Sequence, residues 1–252
     1  MHISILTLFP EMFQGPFDFS IIKRAVGKNL LKIDLINIRA FSSDRHKTVD
    51  DHPYGGGAGM VLKVDVLDRA LQSSLRNEVK PETRLNLVKT RRRSARKTRI
   101  VLLDPQGKTF TQKKAWQLAK LNELILICGH YEGIDERIRK LVDEEISIGD
   151  YILTGGEIPA MVVVDAITRL IPGVLTKKEA TQFESFSPLA PHPSPHATLE
   201  HPQYTRPPVY RNWKVPKILL SGDHQKISEW RQNEALKRTK KRRPDLVPIQ
   251  KD

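Results

Sequence analysis

Apolar residues in this chain fall into short runs of two periods, and the two alternate. From His2 to Phe9 the positions Ile3 and Ile5, with Leu8, follow the two-residue repeat of a half-buried strand. Ile21 to Val26 predicts a short helix, and Leu31 to Ile38 a second strand carried by Ile33, Leu35 and Ile38. Val64 to Leu75 has helical spacing, with Val64, Leu67, Leu71 and Leu75 on one face. Continuous apolar runs of strand length follow at Arg99 to Leu103, Glu123 to Cys128 and Glu144 to Ile148. Helical stretches separate them, first Thr111 to Leu121 and then Asp135 to Val142. Pro159 then opens an apolar helix, Ala160 to Leu170, since proline suits a first helical turn. Strands alternating with helices predict an α/β fold with a parallel sheet covered on both faces.

The polar interruptions are as informative. Arg39 to Gly59 reads as one long glycine-rich loop, and loops of that length in a compact domain tend to be functional or disordered. Asp104-Pro105-Gln106-Gly107 is a turn signal that ends the strand before it. From Thr176 to Pro208 the periodicity lapses, and seven of the chain's 17 prolines fall between Ser187 and Pro208. That composition predicts an extended linker. His192, His196 and His201 lie in it, but without acidic or cysteine partners they read as linker decoration rather than metal ligands. Lys226 to Lys240 is then an amphipathic helix with Ile227, Trp230 and Leu236 toward a core. The expected organisation is an α/β domain over 1–175, a Pro-rich linker over 176–203 and a small α-helical C-terminal domain over 204–252.

Composition narrows the class. A chain of 252 residues, 39% hydrophobic and 28% charged, is that of a soluble globular protein with ample core. No apolar stretch approaches a membrane span, so no membrane partner is expected. No leader-like segment opens the chain, and the single Cys128 can form neither an intrachain disulfide nor a Cys-rich zinc site. A reducing cytoplasm is the expected compartment. The formal charge of +13 points to a polyanionic partner. Ten Lys and Arg against two Glu stand between Arg76 and Arg99, and Lys237, Arg238, Lys240, Lys241, Arg242 and Arg243 form a second cluster. Two separate clusters favour nucleic acid over a merely solvated face.

Two segments carry the candidate chemistry: Cys128 to Arg137, reading CGHYEGIDER, and Ser147 to Pro159, reading SIGDYILTGGEIP. Each sets glycines just after a short apolar run, where a buried strand ends and main-chain groups lie open to a flat ligand. In open α/β sheets ligands bind at the carboxyl ends of the strands, where these turns fall. Several chemistries are excluded. There is no GxxxxGK[ST] loop for a P-loop ATPase, no GxGxxG spacing, no GxSxG elbow, and no cysteine pair for zinc-dependent base chemistry.

These segments closely resemble the bacterial tRNA (guanine-N1)-methyltransferase family, a branch of the SPOUT methyltransferases known as the TrmD family. The resemblance runs in order along almost the whole chain. It includes LFPEMF at Leu8 to Phe13, HKTVDDHPYGGGAGM at His46 to Met60, RLIPGVL at Arg169 to Leu175, YTRP at Tyr204 to Pro207 and LLSGDH at Leu219 to His224. What it implies goes beyond periodicity. The sheet would be threaded into a deep trefoil knot, and two copies would form a homodimer with each active site at the interface. S-adenosyl-L-methionine would be the methyl donor, with Mg²⁺ a candidate accessory ion, and the guanosine directly 3′ of the anticodon, tRNA position 37, the acceptor.

By the same resemblance the donor lies among three turns. They comprise Leu103, Pro105 and Gly107; then Gly129, Tyr131 and Glu132; then Ser147, Ile148, Gly149, Asp150, Tyr151, Ile152, Leu153, Gly155, Gly156 and Pro159. His46, Asp50, Gly55, Gly56, Gly57 and Gly59 match the family's RNA-facing loop, and the anticodon stem-loop would be the element gripped. Arg169 matches the family's catalytic cation. The family's general base is an Asp, and here Glu184, in Phe183-Glu184-Ser185-Phe186, fills its place. Glu is one methylene longer, so its carboxylate must reach differently. An RNA-binding homologue with another RNA target, or one without catalysis, is the competing reading.

Overall fold

The structure is a computed structural model that describes residues 1–76, 98–187 and 199–247. Its chain divides into two compact units, Met1–Thr176 and Lys177–Asp252. Much of the first basic cluster lies outside the described residues, as do His192 and His196.

In the first unit the elements run β1 (His2–Thr7), α1 (Ser20–Gly27), β2 (Lys32–Asn37), β3 (Asp50–Asp51), β4 (Val61–Leu62), α2 (Val64–Leu75), β5 (Thr98–Thr109), α3 (Gln112–Leu118), β6 (Glu123–Cys128), β7 (Glu144–Ser147) and α4 (Glu157–Thr168). Five of the strands form one sheet in the order β2-β1-β6-β5-β7, every neighbouring pair parallel. The expected α/β class with a parallel sheet is what the chain adopts.

Strand β6 shows why. All six of its residues are buried. Alternate side chains point to opposite faces: Leu124, Leu126 and Cys128 enter a core with Ala160, Val163, Val164 and Ile167 of α4, while Ile125 and Ile127 enter another with Val66, Leu67, Ala70 and Leu71 of α2. A strand covered on both sides has no polar face to show, hence its unbroken apolar run.

Several expectations shift at their edges. The run after Arg99 does not end at Leu103; β5 continues to Thr109, with a register shift in which Leu103 and Lys108 both stand opposite Ile146. The predicted turn exists, but as an excursion within a strand. Asp135 to Val142 is not an α-helix but a 3₁₀ turn, Glu136–Lys140, because Asp135 caps it through the Arg137 N–H and only Ile138 of it is buried. The buried face of α2 centres on Val66, Leu67, Ala70 and Leu71, which leaves Leu75 exposed. The long loop after Arg39 is interrupted by a 3₁₀ turn, Ile38–Phe41, and closed by the antiparallel pair of β3 and β4.

The second unit holds a hairpin of β8 (Val209–Tyr210) and β9 (Trp213–Lys214), then the helix α5 (His224–Arg242). Asp223 caps α5 by accepting the Lys226 N–H at 3.1 Å. Its buried residues are Ala235 and Thr239, whereas Ile227, Trp230 and Leu236 are only half-buried. The helix turns its small residues inward because the segment at Leu199 lies against them: the Leu199 N–H donates to Thr239 Oγ1 at 2.9 Å. Part of the stretch expected to be extended is folded, with a 3₁₀ turn at Lys178–Thr181 and the Ser187 hydroxyl donating to the Thr181 carbonyl at 2.7 Å.

If β6 is the hub, truncation there should be costly. Leu126 is fully buried, so Leu126→Ala should lower unfolding free energy by about 2–5 kcal/mol, read as an earlier midpoint in urea with an unchanged slope.

Candidate active site

Three turns meet at the carboxyl ends of the neighbouring strands β6, β5 and β7. The first is the excursion in β5, where Asp104 to Gly107, with Pro105 among them, loop out between Leu103 and Lys108. Asp104 Oδ1 accepts the Gln106 N–H at 2.8 Å, and Asp104 Oδ2 pairs with Arg139 at 3.2 Å. Arg139 also pairs with Glu136 and Glu145, which ties the excursion to the 3₁₀ turn beside it. At Gly107 a Cβ would stand 2.5 Å from the Ile146 main-chain nitrogen, so the chain can pass β7 this closely only as glycine.

The second turn runs from Gly129 to Ile134. Tyr131 adopts a left-handed φ of 61°, and its hydroxyl accepts from Arg39 Nη2 at 3.4 Å. The Glu132 N–H donates to the Met60 carbonyl at 3.1 Å, and the Leu62 N–H to the Gly133 carbonyl at 3.1 Å. Those bonds fasten the end of the glycine-rich loop to the turn.

The third turn follows β7. Ser147 Oγ donates to the Gly149 carbonyl at 3.0 Å and stands 3.2 Å from the Gly149 nitrogen, and the Tyr151 N–H closes back on the Gly149 carbonyl at 3.0 Å. Beyond Ile148, the residues Asp150, Tyr151 and Ile152 are exposed at its crest, while Leu153 is half-buried. The chain then dives against the second turn. Gly155 bridges His130, and the Gly156 N–H donates to the Gly129 carbonyl at 2.8 Å. A Cβ at Gly156 would lie 2.6 Å from Cys128 Cα and 2.8 Å from Gly129 N. Backbone meets backbone there. Helix α4 starts at once, with Pro159 in its first turn.

Beneath the turns lies a polar cluster that the sequence did not single out. Glu157 is only 1% exposed, and its Oε1 accepts from the Thr7 hydroxyl at 2.7 Å, while Thr7 Oγ1 accepts the Phe9 N–H at 3.0 Å. His130 packs on Phe9 with ring centroids 4.9 Å apart, and its buried Nδ1 has no hydrogen-bond partner. Burial, and then the Glu157 carboxylate, push the Cys128 thiol well up. A carboxylate directly after Gly-Gly, at the head of an apolar helix, was the available signal for Glu157.

The other predicted residues divide between the units. Arg169 caps the C-terminus of α4 in the first unit, the unit that holds all three turns. Glu184 belongs to the second, in a turn where the Ser187 N–H donates to its carbonyl at 3.2 Å. In the loop expected to face RNA, Asp50 pairs with Leu62 in the short β3–β4 ladder, and Gly55, Gly56, Gly57 and Gly59 beyond it all have positive φ. The His46 N–H donates to Asp44 at 2.8 Å. Hydroxyls of Thr48 and Ser42, and then main-chain N–H groups, hold the Asp44 carboxyl well below the usual carboxylate range. Among the described residues, no three His, Cys, Asp or Glu side chains gather as a metal site, and no helix is long and apolar enough to cross a membrane.

A parallel sheet whose strands end in touching main-chain turns over a buried carboxylate is the arrangement of the open α/β class, in which ligands bind at the carboxyl ends of the strands. The family model of the tRNA (Guanine-1)-methyltransferase TrmD matches residues 1–249, and the chain belongs to that family of enzymes. A protein of Dehalococcoides mccartyi (strain CBDB1) named tRNA (guanine-N(1)-)-methyltransferase is 51% identical over 255 residues, spanning 100% of this chain and 93% of its own length. Proteins of the same name from Syntrophomonas wolfei (52% identical) and Endomicrobium trichonymphae (48%) each align with 98% of this chain, over 90% and 99% of their own. Membership and these relatives argue against a non-catalytic homologue.

Two glycines make a paired test. Gly27, the last residue of α1, has nothing within 4 Å of a built Cβ, so Gly27→Ala should be neutral or stabilise by about 0.5–1 kcal/mol. Gly156→Ala should cost about 3 kcal/mol or more, and in thermal melts of the pair only Gly156→Ala should lose stability. Asp44 predicts a pH effect. A depressed carboxyl contributes stability that is fully present above its unfolded pKa of about 4. That contribution is lost as pH falls through the lower folded value. The gap in urea midpoint between the parent and Asp44→Asn should therefore hold steady at neutral pH and close in acid.

Proposed function

We propose that this protein transfers a methyl group from S-adenosyl-L-methionine to N1 of the guanosine at tRNA position 37. The observation that carries the reading is the meeting of three glycine turns at the sheet's carboxyl edge, in a chain belonging to this family. The turns fit such a donor. Gly107 and Gly156 admit no side chain, and a flat adenine would lie against the main-chain groups of these turns, beside Tyr131, Tyr151 and Ile152. When bound, the donor supplies a methyl carbon already activated by its sulfonium.

The chain's own residues then have two tasks. Guanine N1 carries a proton, and a general base must take it as the N1 lone pair bonds to the methyl carbon and the carbon–sulfur bond breaks. Glu184 takes that proton on its carboxylate. Charge that moves onto guanine O6 as the proton leaves is offset by the guanidinium of Arg169, a fixed cation placed where charge develops. The loop from His46 to Gly59 faces the anticodon stem-loop. Single-stranded loops present the unstacked base edges that sequence-specific recognition needs.

In this reading 1–175 binds the donor, 176–203 links and 204–252 grips tRNA. The exposed Lys240, Lys241 and Arg242 at the end of α5 support the last of these. A homodimer is supported by α4, an apolar helix that leaves Ile158 and Val162 exposed at 45% and 42%. A trefoil knot through the C-terminal part of the sheet belongs to the same proposal. Cytoplasmic residence suits an enzyme whose substrate is tRNA.

Incubating the protein with an unmodified tRNA transcript and donor, then digesting to nucleosides, should yield N1-methylguanosine; any other methylated nucleoside, or none, sinks the assignment. Glu184→Gln should lower kcat by at least about 100-fold and leave donor affinity, read by calorimetry, unchanged. An active Glu184→Gln enzyme would mean that the base is a different residue.

A further inference from the structure

The β8–β9 hairpin leaves its large side chains exposed. Val209, Tyr210, Trp213 and Lys214 are all exposed, Trp213 at 67%. An isolated two-stranded hairpin is marginal in water, and large aromatic rings normally gain by burial. Tyr210 and Trp213 stand directly opposite each other in the antiparallel register, so both rings rise from one face, with centroids 6.2 Å apart. Between them, at the tip, Arg211 holds a left-handed φ of 53°, a conformation that glycine adopts without strain and arginine does not. Its guanidinium carbon lies 5.5 Å from the Tyr210 ring and 5.9 Å from the Trp213 ring, within cation–π reach of both. The segment from Tyr204 to Lys217 carries Arg206, Arg211, Lys214 and Lys217 and no carboxylate.

A strained tip, two exposed rings and a run of positive charge share one small element. Strain that persists in a folded chain points to use. We propose that this hairpin is a stacking platform for unpaired RNA. A splayed base lies on Trp213 beside Tyr210, and Arg211 and Lys214 meet the phosphates on either side. The platform rests on tRNA being the substrate, and assigns the hairpin to its unpaired loop nucleotides. Local charge selects a polyanion over an apolar peptide, and the ring faces select unpaired bases over duplex, whose bases are already stacked.

The test uses the full-length protein, an unmodified tRNA transcript and a fully paired RNA of equal length. Trp213→Ala should weaken tRNA binding about tenfold or more and leave duplex binding and donor affinity unchanged; Trp213→Phe should recover most of the loss. Arg211→Gly relieves the tip, so it should melt at or above the parent temperature. It should nonetheless bind tRNA more weakly, with a salt dependence shallower by about one ion. Binding of tRNA equal to the parent's in both Trp213→Ala and Arg211→Gly overturns the proposal. So does a loss confined to self-association in sedimentation, which would make the hairpin a contact between copies. If the parent binds tRNA through the hairpin yet forms no N1-methylguanosine, the proposed reaction fails and the platform stands.

Discussion

Gly156 passes so close to the end of β6 that a single carbon atom there would overlap Cys128 Cα. Van der Waals repulsion between two main chains cannot be relieved by a rotamer change, unlike a clash with a flexible side chain. The approach therefore fixes the chain's path at the point where strand gives way to helix. From it follow the bond from the Gly156 N–H to the Gly129 carbonyl, the bridge of Gly155 to His130 and the start of α4 one residue later. Gly107 repeats the arrangement on the other side, against β7. Two steric exclusions thus hold three turns together.

The rest of the first unit supplies a rigid frame for that contact. Strand β6 has partners on both edges and a packed core on both faces, so its carboxyl end has little freedom to move. The buried Glu157 reaches across to Thr7 at the end of β1, which in turn fixes the Phe9 N–H. A carboxylate in that position is favoured by the first turn of its own helix, where main-chain N–H groups point outward. Strand ends, helix start and turns are joined by hydrogen bonds rather than by apolar packing alone.

How much of this was legible in the sequence depends on how local the cause is. β6 was read at its true bounds because a continuous apolar run leaves no second interpretation. The resumption of β5 after Gly107 was invisible, since Lys108 and Thr109 are strand only through β7, a partner found later in the chain. Asp135 to Val142 looked helical on composition, yet one capping carboxylate and a single buried side chain support no more than a 3₁₀ turn. On α5 the large apolar residues suggested the buried face, but Ala235 and Thr239 hold it because a neighbouring segment needs room. The glycine turns stood out by residue type. The Glu157–Thr7 bond did not, since its partners are 150 residues apart.

The position of Cys128 has a practical corollary. Its sulfur is wholly enclosed, and both burial and the neighbouring carboxylate favour the protonated thiol over the nucleophilic thiolate. It is also the only cysteine in the chain. While the native packing lasts, alkylating reagents and mild oxidants have nothing to attack. Labelling at this one sulfur consequently acts as a clock for the opening of the sheet, and any ligand that tightens the turns above it should slow that clock.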